Sequence, residues 1–134
     1  MTPSAKIYEL IYVSTLDPNA PPTVVADIAH KARRFNDANG ITGMLVFDGM
    51  RFCQQIEGSQ KQVLTLLERI RDDSRHINLE VVHHGPLTQR RFRNFSLAYT
   101  TMDDETALAD LEQLDAQAAV DAFVKLLGTL DVAP

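Results

Sequence analysis

The stretch Asn36–Gly58, NDANGITGMLVFDGMRFCQQIEG, constrains the fold more than any other part of the chain. At its centre Asp48-Gly49 separates two apolar runs by two residues. That is a strong local signal for a hairpin, because these residues accept the positive φ of a tight primed turn. Ile41–Phe47 and Met50–Glu57 therefore read as antiparallel strands. Asn39-Gly40 stops a helix just before them, and Ser59 with Gln62 reads as a capping box that opens a helix just after. Two carboxamides break the pattern. Asn36 falls on the apolar face of the first helix, and Gln54 alternates with Phe52 and Ile56 on an otherwise hydrophobic strand face. A buried donor or acceptor left unpaired costs about 1–3 kcal/mol, so both amides need partners from outside the segment.

Around this segment the chain reads in order as follows. Ile7–Ser14 is β-branched and aromatic without a breaker, hence a strand. Ile7, Glu9, Ile11 and Val13 take one face and Tyr8, Leu10, Tyr12 and Ser14 the other. Both sets are largely apolar, so both sheet faces are expected to be covered. Thr15–Pro22 is a proline-rich loop, and Thr23 is placed to cap a helix running to Asn39. Val25, Ile28, Ala29, Ala32, Phe35 and Asn36 form its inner stripe. The second helix, with core residues Val63, Leu66, Leu67 and Ile70, ends in Asp72-Asp73, where acidic charge opposes the helix dipole. Leu79–His84 is a fourth strand closed by Gly85-Pro86, Thr88–Arg93 a basic irregular segment, and Phe95–Thr100 a fifth strand. Thr101-Met-Asp-Asp begins a third helix. Asp115 caps a fourth with the stripe Ala118, Ala119, Ala122, Phe123 and Leu126, ended by Gly128. The last residues, to Pro134, read as a frayed tail.

The order βαββαββ, with two helices on one face of a mostly antiparallel sheet, is the ferredoxin-like α+β arrangement with a five-stranded mixed sheet. The two C-terminal helices are expected on the other face. Residues 1–100 would form the core and 101–134 a helical extension packed on it.

Composition limits the function. A chain of 134 residues with 45% hydrophobic and 23% charged residues is one globular domain. The net charge of −5 argues against a nucleic-acid binder held by phosphate contacts. For the same reason Arg90, Arg91 and Arg93 read as a solvated loop. The single cysteine, Cys53, excludes an internal disulfide or a multi-cysteine metal site. It lies on the face opposite Gln54 and reads as packing. His83 and His84 are strand neighbours that point to opposite faces and cannot meet one metal ion. No apolar run approaches the ~20 residues of a membrane span, and the N-terminus lacks the apolar core of a signal peptide. The expected location is cytoplasmic.

In a ferredoxin-like fold the first and third strands are the central pair, which brings Tyr12, Gln54 and Asn36 under the gap between the two helices. Residue chemistry alone leaves two readings open. One is a core tyrosine bonded to a core glutamine, with Asn36 part of a helix cap. The other is a polar site that waits for a ligand.

The segments LIYVS (10–14), ARRFNDANGITGMLVFDGMRFCQQIEG (32–58), RIRDDSRH (69–76) and RRFRNFSLAY (90–99) resemble the BLUF domain family of flavin-using blue-light sensors. The resemblance covers residues 7 to 100. It implies a flavin, usually FAD with FMN or riboflavin as alternatives, inserted between the two helices. Asn36 and Gln54 would meet the ring edge, Tyr12 would bond Gln54, and Arg69 and Asp73 would approach from the second helix. Ile28 and Phe35 would supply apolar contact. Arg69 and Asp73, four residues apart, could equally form a surface ion pair. The resemblance also implies photochemistry without enzymatic turnover: an electron and a proton leave Tyr12 and return, and Gln54 ends with rearranged hydrogen bonds. Many members carry Trp and Met on the fifth strand where this chain has Phe95 and Leu97. The relay expected through Phe95, Leu97 and Ser14 therefore has no indole donor. The expected output is a shape change offered to a separate protein partner or to a homo-oligomer, with no membrane partner. A flavin-free interaction module on the same fold is the alternative.

Overall fold

The computed structural model describes residues 7–21, 23–99, 107–127 and 131–132. The elements are β1 (Ile7–Leu16), α1 (Val24–Ala38), β2 (Thr42–Phe47), β3 (Arg51–Gly58), α2 (Gln60–Asp72), β4 (His76–Leu87), β5 (Phe95–Tyr99), α3 (Ala107–Glu112), α4 (Ala116–Leu127) and the two-residue β6 (Asp131–Val132). The sheet order is β4-β1-β3-β2-β5-β6. All pairings are antiparallel except that of β2 with β5, which is parallel. The first four strands thus keep the ferredoxin-like order, with β1 and β3 at the centre. Among the described residues the sheet has six strands rather than five, because residues read as a frayed tail pair as β6 with Ala98 and Tyr99.

Period-two alternation divides the core between the two faces. On one side Leu10, Tyr12, Leu45, Phe52, Ile56 and Leu97 lie beneath α1 and α2. On the other, Ile11, Val13, Met44, Val46, Cys53 and Val82 lie beneath α3 and α4. In α4 the inward residues are Ala119, Val120, Phe123 and Leu126; Ala118, expected inside, is exposed. The expected helix start at Thr101, strand end at Thr100 and helix stop at Gly128 lie outside the described residues.

Several boundaries differ from the sequence reading. β4 begins at His76 and runs through Gly85-Pro86 to Leu87, instead of covering Leu79–His84. Among the described residues it pairs only with β1, so it is an edge strand, where proline's missing N–H leaves no ladder bond unmade. A bulge near Asn78, which takes φ +53, shifts its register against β1 and hid its start. Thr23 has helical φ/ψ and makes no side-chain cap bond, so α1 lacks the expected cap. Asn39 and Gly40 do end α1, with Gly40 at φ +67. At α2 the Ser59 hydroxyl accepts from the Gln62 amide, which is half of the capping box.

The basic segment before β5 is not merely solvated. Two fully buried carboxylates, Glu9 and Glu57, hold it to the sheet. Arg91 donates to Glu9 at 2.6 Å, and the backbone amides of Arg91 and Phe92 donate to Glu57 at 2.9 and 3.0 Å. Arg90 donates to the carbonyls of Gly40 and Glu57. The partners lie 33 to 82 residues away along the chain.

Candidate functional site

Tyr12 and Gln54 are direct partners across the seam between β1 and β3. Their side chains enter the same face, and the Tyr12 hydroxyl donates to Gln54 Oε1. The tyrosine is completely buried. Burial above all, and then electrostatic interaction with Cys53 and Asp73, holds its phenol well above the usual range, so it stays neutral.

Gln54 also forms part of the floor of a cleft between α1 and α2. Ile28, Ala32 and Phe35 line one wall, and Leu66, Arg69 and Ile70 the other; Leu45 adds to the floor. Lys31, Asp73, Arg75 and His76 complete the lining. The Arg69 guanidinium stacks over the Phe35 ring, 4.3 Å from its centroid, so it faces α1 rather than Asp73. Asp73 is instead held by Arg75, at 2.7 Å between Oδ2 and Nη2, with its carboxyl below the ordinary range chiefly through that bond. The acid that opposes the dipole of α2 is thus answered two residues later, and Arg75 reaches on to Asp27 of α1 at 3.2 Å.

Asn36 is completely buried, and neither its Nδ2 nor its Oδ1 has a partner among the described residues. It continues the helical row of Ile28 and Ala32, both of which line the cleft. An unpaired buried carboxamide one turn along from the residues that line the cleft is costly in isolation. It fits a planar heteroaromatic ligand that presents a carbonyl beside an imide N–H, as a flavin does, because the amide offers the complementary donor and acceptor. The Phe35 ring and the aliphatic residues of both walls suit the rest of such a ring.

Among the sequence-derived candidates, Ile28, Phe35, Gln54, Arg69 and Asp73 meet at this cleft; Tyr12 lies behind Gln54, and Asn36 is buried on α1 without lining the cleft. Phe95 and Leu97 are buried on the same sheet face, in the apolar cluster with Leu45 and Phe52, and do not line the cleft. Ser14 lies 3.0 Å from His76 Nδ1. The sequence reading gave no role to Arg75 or His76. His76 packs on Phe52 at 4.6 Å between rings, and burial lowers its pKa to about 4, so it is neutral near pH 7. Its only sequence signal was its place at the end of the RIRDDSRH segment.

The family described as sensors of blue-light using FAD matches residues 7–98. The chain belongs to the BLUF family. It is a blue-light photoreceptor flavoprotein by membership, and its cofactor is a flavin. Among solved structures, the photo-activated state of BlsA superposes with a TM-score of 0.79 at 27% identity, covering 90% of this chain and 94% of that one. The BLUF protein BlrB in its dark state gives 0.74 at 30% identity, over 92% and 96%. The blue light- and temperature-regulated antirepressor BluF of Escherichia coli is 34% identical over 83 residues, 62% of this chain and 21% of that protein. A photoactivated adenylate cyclase subunit alpha of Euglena gracilis is 29% identical over 107 residues, 78% of this chain and 10% of that protein. The BLUF chain therefore spans about a tenth to a fifth of these curated relatives. No helix among the described residues is long and apolar enough to cross a membrane.

Proposed function

We propose that this BLUF chain senses blue light through a reversible change in the Tyr12–Gln54 hydrogen bond and passes the result to a separate protein or to a second copy of itself. The observation that carries the reading is the pair of amides at and beside the cleft. Asn36 has both polar atoms buried without partners, and Gln54 bonds a hydroxyl that can either donate or accept. Asn36, Gln54, Arg69 and Asp73 would hold the flavin, with Ile28 and Phe35 in apolar contact and Tyr12 behind Gln54. FAD, FMN and riboflavin share the ring that this set addresses. BlrP1 of Klebsiella pneumoniae, 25% identical with a TM-score of 0.67, carries FMN in one structure.

A bound flavin would supply the light absorption and an electron-accepting ring. Tyr12 is buried and neutral, so it releases its proton only together with an electron. The proton travels along the bond to Gln54, both return to Tyr12, and Gln54 is left with its donor and acceptor ends rearranged. The tyrosine hydroxyl accepts from the new arrangement as readily as it donated to the old one. That symmetry of the partner lets two states coexist. Residues 1–100 act as the sensor and 101–134 as the element that presents the output. Phe95, Leu97 and Ser14 stand next to the site as relay residues, and the antirepressor relative favours a protein as recipient.

The test is the absorption spectrum of the purified protein, reconstituted with FAD if needed, before and after blue light. A reversible red shift is expected. Tyr12→Phe and Gln54→Leu should still bind flavin and lose the shift. A full shift in either variant would refute the mechanism. A colourless protein that refuses added FAD would favour a flavin-free interaction module.

A further inference from the structure

Opposite the cleft, a second set of hydrogen bonds bridges the same β1–β3 seam. Gln55 follows Gln54 on β3, points to the other face and is completely buried. Its Nε2 donates to Glu9 on β1 at 3.1 Å and to Glu57 on its own strand at 2.9 Å. Two carboxylates can only accept, so the nitrogen must face them, and Gln55 Oε1 is left buried without a partner among the described residues. A fold that keeps an orphaned acceptor at a cost of about 1–3 kcal/mol has its partners fixed for another reason.

Arg91 straddles this seam. Its side chain is bonded to Glu9 of β1, and its backbone amide to Glu57 of β3. Glu9 and Glu57 are themselves register partners. A change in the separation or register of β1 and β3 would therefore stretch one of the two attachments of Arg91 against the other. The next residue, Phe92, is bonded to Glu57 through its amide and packs into the apolar cluster beneath α3 and α4. Gly43 tightens the same region. A Cβ there would lie 2.0 Å from the Gln55 carbonyl oxygen, and its amide donates to Asn94, just before β5.

We propose that Arg91 reads the β1–β3 seam and carries what happens at Gln54 to the 88–92 segment and, through Phe92, to α4, with Gln55 as the positioning residue that ties the strands on this face. This rests on the light-sensing reading of the cleft. It supplies an exit that needs no polar group on β5, where Phe95 and Leu97 have none to offer. The Tyr12–Gln54 bond and the Gln55–Glu9 bond span one seam from opposite faces, so a displacement at the first is taken up at the second. Arg91 converts it into motion of a surface segment.

The test is hydrogen exchange of the flavin-loaded full chain in dark and light, with the red shift recorded on the same samples. In the native protein, light should change exchange in residues 88–92 and 119–127 at least threefold. Arg91→Met keeps the backbone bond to Glu57 and removes the bond to Glu9. It should retain the red shift while the light–dark difference in both segments falls at least threefold. Arg91→Lys, which restores a cation to Glu9, should recover part of it. Should Arg91→Met fold poorly, Gln55→Met carries the same expectation. An unchanged light–dark difference in a variant that keeps its red shift would overturn the proposal, as would a native protein with a red shift and no difference in 88–92. Absence of the red shift in the native protein would refute the underlying light-sensing reading, and the proposal with it.

Discussion

Gln54 and Gln55 are consecutive on β3, equally hidden from water, and opposite in character. Gln54 bonds a tyrosine hydroxyl, which serves either orientation of the amide, and its face opens on a cleft. Gln55 bonds two carboxylates, which serve only one. The same side chain thus meets a partner that can serve either of its orientations on one face of the sheet and partners that serve only one on the other. The difference lies entirely in the partners. It teaches that burial and hydrogen bonding do not by themselves distinguish a switch from a strut; the donor and acceptor capacity of the neighbour does.

The comparison can be broken most directly by making one substitution at both positions. Gln55→Glu places a third carboxylate beside Glu9 and Glu57, and urea unfolding should show a loss of about 3–5 kcal/mol, as for a broken buried ion pair. Gln54→Glu can remain protonated against Tyr12 and should cost about 1 kcal/mol. Equal costs would show that the two environments do not differ as described.

Acid should act through the cleft face. The folded His76 pKa of about 4 lies below its free value of 6.5. Between those values the unfolded chain binds a proton that the folded chain does not, so stability falls as pH falls from 6.5 to 4, by about 3 kcal/mol in total. Asp73, whose folded pKa is lowered, adds stability above its unfolded value that is lost only on further acidification. His76→Gln should flatten the pH 6.5–4 limb in a series of unfolding curves. A limb that survives the substitution would assign it to other groups.

The smallest effect concerns Asn36. Replacing an unpaired buried amide with leucine should raise the stability of the flavin-free protein by about 1 kcal/mol. The same change should weaken flavin binding about tenfold, equivalent to the ~1.4 kcal/mol of one good hydrogen bond. Fluorescence titration and unfolding on one preparation would show both. A variant that loses stability without losing affinity would mean that Asn36 serves the fold and not the ligand.

The cleft was legible in the sequence for a local reason. Gln54 and Asn36 break hydrophobic periodicities of two and 3.6, and such breaks are visible within a few residues. The ferredoxin-like order followed from element order and one hairpin. The second face was not legible, because what fixes it is long-range. Glu9 looks like an interrupted apolar strand and Arg90–Arg91 like a solvated basic patch until they are found together, 82 residues apart for Glu9 and Arg91. The start of β4 was obscured by the bulge at Asn78, and His76 with it. β6 has two residues, too few for any pattern.

The pairing of β3 has one more consequence. Cys53 precedes Gln54, faces away from the cleft and is fully buried, with burial pushing its thiol far above the ordinary range. A slip of one residue in β3 would exchange the two faces, and in one of its two directions it would set a thiol where the glutamine now stands. Sulfur beside a photoexcited ring is a rival electron donor and a route to irreversible oxidation. Under the proposed mechanism, the strand pleat that aims Gln54 at Tyr12 also keeps the chain's one cysteine out of reach of the photochemistry. Durability under repeated illumination is in that sense a property of strand registration.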